Sequence, residues 1–134
     1  MPNGVGQRVF VDANLIGAAK ELETKHHGIV YPGHNEWPFD QNEADDVWLP
    51  FVGDNDWLAL ARDKRIRYRA TEKQALIDHR VRVVVISTLE NLKINEMADL
   101  IDAHWDAIEA LMGQPAAFYH LTKSGLTKRL DYPG

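Results

Sequence analysis

The stretch Val9-Phe10-Val11-Asp12-Ala13-Asn14 runs three apolar residues straight into an aspartate, and Trp57-Leu58-Ala59-Leu60-Ala61-Arg62-Asp63 does much the same. Short apolar runs of this kind read as buried strands. In a parallel sheet the strand ends of like polarity lie side by side, and open α/β sheets bind their ligands beyond the carboxyl ends. Two aspartates delivered to that edge, the second heading Lys64-Arg65-Ile66-Arg67-Tyr68-Arg69, point to a divalent cation and a phosphate-bearing substrate.

The rest of the chain alternates around these two stretches. Leu15, Ile16, Ala19 and Leu22 give a helix over 14–26 one apolar face, and Gly28 stands where a C-cap glycine would. Residues 29–31 read as a second strand and 32–42 as a polar loop. Val47, Trp48, Phe51 and Val52 mark a short helix over 43–52, closed by Gly53, before a third strand at 57–60. Thr71-Glu72-Lys73-Gln74 fits a capping box that opens a helix to His79. Residues 82–86, the most apolar strand, are expected near the centre of the sheet. Asn95 is placed to cap a long helix to Met112, ended by Gly113 and Pro115, and residues 118–122 and 127–130 flank Lys123-Ser124-Gly125 as a hairpin. This alternation predicts a three-layer α/β/α sandwich with a mainly parallel sheet, followed by a helix and a hairpin.

Composition narrows the class. The 134 residues fit one domain, taken as 1–134, and 45% hydrophobic content excludes an intrinsically disordered chain. No cysteine is present, so disulfides and thiolate metal sites are excluded, and a reducing, cytoplasmic setting is expected. The opening Met1-Pro2-Asn3-Gly4 lacks the layout of a signal peptide, and no apolar run is long enough to span a bilayer. The net charge of −5 argues against holding nucleic acid by bulk charge. A local patch is still available, because Arg62, Lys64, Arg65, Arg67 and Arg69 fall within one octet.

The acids form a constellation. Asp12 and Asp63 end strands, Asp45 and Asp46 open a helix, and Glu36 and Asp40 lie in the loop before it. Carboxylates gathered in one pocket repel one another unless cations neutralise them. Oxygen donors without cysteine suit Mg²⁺ or Mn²⁺. Such an ion lowers the pKa of a bound water and stabilises charge on a phosphodiester under in-line attack. The basic octet then holds the flanking phosphates, and Asn14 donates hydrogen bonds into the same pocket. Each acid taken singly reads more simply as a helix cap or a solvated surface group; the joint pattern shifts the balance.

Val11-Asp12-Ala13-Asn14-Leu15 resembles the opening of PIN domains. Asp45-Asp46-Val47-Trp48-Leu49, then Gly53, Asp56-Trp57 and Ala61-Arg62-Asp63-Lys64-Arg65-Ile66-Arg67, resembles the rest of the motif in the compact PIN-like family that includes VapC-type toxins. Glu72 and Leu76 also fall where that family tends to place a glutamate and an apolar residue. The resemblance implies a metal-dependent endoribonuclease, typically the toxin of a type II toxin–antitoxin pair, that acts on RNA, meets a cognate antitoxin and forms a homodimer. By motif position Asp12, Asp45 and Asp63 hold the metal. The glutamate that PIN sites usually carry in a helix has no such helix here, and Glu36 is the best substitute, with Asp40 and Asp46 behind it. Ala61 stands where the family often has threonine or lysine.

Two other readings compete. One is a catalytically decayed PIN-like domain that binds RNA or protein. The other is a phosphatase or receiver-like domain, which usually has a second aspartate two residues after the first; here that position is Asn14. The histidines show no metal-ligand spacing, and His26 and His27 suit a helix end. The four tryptophans read as packing, with Trp37 in the loop the one to test for base stacking.

Overall fold

Six strands form one sheet in the order β2-β1-β3-β4-β5-β6. The computed structural model describes residues 8–39, 45–62, 70–88 and 92–133. Strands β1 (Val9–Val11), β2 (Ile29–Val30), β3 (Leu58–Ala61), β4 (Arg82–Ile86) and β5 (Ala117–Thr122) run parallel, and β6 (Gly125–Asp131) returns antiparallel on β5. The residues expected in the middle, 82–86, occupy one of the two innermost places. The fold is thus the mixed α/β architecture expected from the alternation.

The helices divide between the two faces. Helix α1 (Ile16–Leu22), α4 (Ile94–Ala103) and α5 (Trp105–Ala110) cover one face, where Leu22, Met97, Ile101 and Ile108 meet Val9, Val11, Leu58 and Leu60. Helix α2 (Asp45–Asp54) and α3 (Ala70–Asp78) cover the other, where Trp48, Leu49, Val52 and Leu76 meet Phe10, Ala59, Val83 and Val85. Strand residues alternate between the two cores because successive side chains point to opposite faces. Both cores are built from buried apolar side chains, so the burial that stabilises the fold is shared by two layers.

Two glycines lie at close helix contacts. A Cβ on Gly53 would lie 2.3 Å from the His79 carbonyl oxygen, so α2 sits against the end of α3 at a distance only glycine permits. A Cβ on Gly17 would meet Ile94 Cγ2 at 2.8 Å, where α1 crosses α4. On the other face, the end of β6 feeds Tyr132 into the second core, where its hydroxyl donates to Val81 O at 2.7 Å.

Some boundaries differ from those expected. The chain does not enter a helix at Asn14: Asp12 caps a 3₁₀ turn over Ala13–Leu15, and α1 follows. The helix expected over 95–112 breaks at His104, whose ring Nδ1 donates to Leu100 O at 3.0 Å. This side chain-to-backbone bond competes with the helix ladder. The break turns Trp105 onto His26, with ring centroids 4.1 Å apart. The long helix is capped from Lys93, with Glu96 Oε1 accepting the Lys93 N–H at 2.8 Å, and not from Asn95. In β6 Leu130 lies opposite Phe118 but Lys128 opposite Tyr119, leaving Arg129 as the extra residue of a bulge. The bulge changes the strand's phase: Leu126 faces the first core and Leu130 the second.

Candidate active site

Asp12 is the only charged side chain buried among the described residues, 9% exposed. It leaves β1 between the ends of β2 and β3, and its N–H donates to Leu60 O at 2.9 Å. Its Oδ1 accepts the Ala13 N–H at 2.7 Å, so one carboxylate oxygen fixes the first turn after the strand. Asn14 is exposed on that turn.

The other edge residues follow from the direction of the strands. Helix α2 ends at Asp54, four residues before β3 begins at the amino edge, so its own start lies toward the carboxyl edge. Trp48 of α2 packs on Phe10 at 5.0 Å, on the same face of β1 as residue 12. The backbone of Asp45 and Asp46, one turn before Trp48, is thereby brought to the Asp12 side of the sheet; their side chains lie outside the described residues. Arg62 is exposed at the end of β3. Asp40, Asp63, Lys64, Arg65, Arg67 and Arg69 lie outside the described residues.

Glu36 stands elsewhere. Its Oε1 accepts from Arg8 Nε at 2.9 Å, and Arg8 precedes β1, so this carboxylate sits at the amino edge of the sheet, opposite Asp12. The cause is the loop after β2. Trp37 stacks on Phe10 with centroids 4.2 Å apart and is 6% exposed, which folds the loop back over β1. Glu36, the substitute proposed for the fourth acid, is thus placed on the edge away from Asp12 and paired with Arg8, and Trp37 is a core residue closed to base stacking. Ser87 and Thr88, which sequence reasoning passed over, follow β4 at the carboxyl edge, with the Ser87 N–H donating to Leu121 O at 2.9 Å. The signal was available: any polar residue directly after a parallel strand reaches this edge, hydroxyls as well as acids.

At the amino edge, a groove of about 920 Å³ runs between α5 and the starts of β1 and β2. Arg8, Glu36, Trp105, Asp106, Glu109 and Met112 are among its lining residues, and Asp12 is not.

The model of the PIN like domain family matches residues 7–88, more than half of the chain, and the chain belongs to this family. No curated protein and no solved structure gives a match. The family carries a nuclease-type fold; its members are generally nucleases, a class of hydrolases, and usually use divalent metals. The donors that the edge offers fit such a metal in kind: a buried carboxylate and no sulfur. Among the described residues no three His, Cys, Asp or Glu side chains are grouped to hold an ion. Among them too, no helix is long and apolar enough to cross a membrane.

Proposed function

We propose that this chain is a metal-dependent endoribonuclease that hydrolyses RNA phosphodiesters, as the toxin of a type II toxin–antitoxin pair. The observation that carries the reading is Asp12, a carboxylate kept buried at the sheet edge where α/β folds bind ligands, with the start of α2 on the same side. An oxygen donor at that edge, with no sulfur in the chain, is the kind of ligand a hard divalent cation takes.

In this reading Asp12, Asp45 and Asp63 would hold Mg²⁺ or Mn²⁺, which would supply an activated water and stabilise the charge that develops on phosphate. The chain's own residues do the rest. The Ala13 N–H fixes the rotamer of Asp12. Asn14 donates to substrate from the adjoining turn. Arg62, Lys64, Arg65, Arg67 and Arg69 hold flanking phosphates, and a chain of net charge −5 needs such a concentrated patch. The reading extends to a cognate antitoxin that covers the edge, and to a homodimer in the cytoplasm.

The position of Glu36 favours a second reading, a PIN-like domain that binds RNA or protein without turnover, since one expected acid is spent on Arg8. Cleavage of an RNA pool in Mn²⁺ separates the two. The first reading expects cleavage by the native chain and at least a hundredfold loss in Asp12→Asn, with the melting curve little changed because asparagine also caps well. Absence of both cleavage and Mn²⁺ binding in the native chain selects the second.

A further inference from the structure

We infer that the groove at the amino edge of the sheet is a docking site for a basic, partly apolar peptide segment of a partner protein. The groove is separate from the Asp12 edge, and the inference does not depend on the nuclease reading.

Charge comes first. Residues 94–113 contain Glu96, Asp99, Asp102, Asp106 and Glu109 and no lysine or arginine, which equals the formal charge of the whole chain, −5. Asp102 is engaged by His26 and Lys25. Asp106 and Glu109 stand three residues apart on the exposed side of α5, whose other side buries Trp105 and Ile108, and both line the groove. Neither has an ion-pair partner among the described residues. Arg8, the one arginine among the described lining residues, is held by Glu36. Among the described residues these two carboxylates are thus left without a counterion, beside a floor that includes Val9, Ala110 and Met112.

Size and shape select the occupant. At about 920 Å³ the groove lies near the top of the ~300–1,000 Å³ range for ligand pockets, too large for one aliphatic amine to fill. Acid and apolar surface side by side match a lysine or arginine with an apolar neighbour, the aliphatic stem lying on the floor and the cation at α5. The chain's own basic run, Arg62–Arg69, has this chemistry but starts from the opposite edge of the sheet. Seating it in a second copy would make a head-to-tail contact, which closes only as a ring or grows into filaments. A different chain is the simpler occupant.

The test uses the full-length protein and a fluorescein-labelled decapeptide of alternating leucine and arginine, read by anisotropy. The expected result is saturable binding that falls at least about fivefold in Asp106→Asn/Glu109→Gln, at about 0.5 kcal/mol or more for each charge contact. Asp99→Asn, on α4 and outside the groove, keeps native affinity. Replacing leucine by serine in the peptide weakens binding as well. Circular dichroism melts confirm that each variant is folded, and Met112→Ser provides an independent, charge-neutral loss of affinity. The inference is overturned if the peptide does not saturate, or if a leucine–glutamate peptide binds equally. It is also overturned if Asp99→Asn weakens binding as much as the double variant, which marks general surface attraction. Salt-sensitive self-association in sedimentation that disappears in the double variant assigns the groove to a second copy and overturns it too.

Discussion

Substituting alanine for Gly53 and for Gly17 should change stability in opposite directions, although both glycines lie in helices. Alanine is favoured over glycine in a helix by roughly 0.5–1 kcal/mol. At Gly53 the new methyl would stand 2.3 Å from the His79 carbonyl oxygen and 2.9 Å from both His79 Cβ and Val81 Cγ2. Backbone cannot rotate away, so α2 must move off α3, and overpacking of this kind costs about 1–3 kcal/mol. Taking the upper value because the contact is with backbone, and subtracting the propensity gain, leaves a loss of ~2 kcal/mol. At Gly17 the methyl meets only Ile94 Cγ2, at 2.8 Å, and Ile94 is 38% exposed and able to turn outward. There the propensity term survives, and a change between zero and a gain of ~1 kcal/mol is expected. Urea unfolding resolves the pair: with a slope of ~2 kcal/mol per molar, Gly53→Ala lowers the midpoint by about 1 M while Gly17→Ala leaves it level or raises it. Because α2 carries Asp45 at its start, Gly53→Ala should also reduce RNA cleavage. A Gly53→Ala midpoint at or above that of the native chain would refute the packing argument, as would equal shifts in the two variants.

Other expectations are as direct. Glu36→Gln should leave cleavage unchanged and alter stability by no more than about 1 kcal/mol, since it removes one exposed ion pair at the edge away from Asp12; a large loss of turnover would return Glu36 to the site. The His26 ring donates to Asp102 at 2.6 Å and, with Lys25 adding to the effect, holds that carboxyl below its ordinary value of 3.8. A lowered carboxyl pKa stabilises the fold above the unfolded value and ceases to do so as pH falls through the folded one. Urea midpoints should thus drop below about pH 4 in the native chain, and His26→Leu should flatten that drop. Tyr132→Phe removes the donor to Val81 O and should cost about 1–2 kcal/mol in the same assay. Burial pushes the Tyr132 hydroxyl up from 10.0, so its contribution is constant below that pH and lost above it; the phenylalanine variant should resist alkaline unfolding more than its neutral-pH stability implies.

What could be read from residues alone was local. Arg82–Ile86 was legible as a strand to the residue because four consecutive β-branched residues, Val83–Ile86, follow Arg82 with no competing period. Asp12 was legible as the end of a strand for the same reason. The break at His104 was not, since no glycine or proline marks it and its cause is a ring bonding to Leu100 O and a tryptophan reaching back to His26. Glu36 was misplaced because its position depends on Trp37 finding Phe10, a contact between residues far apart in the chain. Asp12 could be given an edge from strand polarity; Glu36, in a loop, could not, because a loop has no polarity to inherit.

The bulge in β6 makes that strand sensitive to length more than to composition. Between Leu126 and Leu130 an unbulged strand would return both leucines to one face, but the extra residue of the bulge, Arg129, puts them on different ones. Removing one residue there would swing Leu130 out of its core and draw Tyr132 away from Val81, whichever residue was lost. A deletion at an exposed position would then act as a core mutation, while the side chain at that position stays open to change. In this strand the number of residues is the structural information, and their identity comes second.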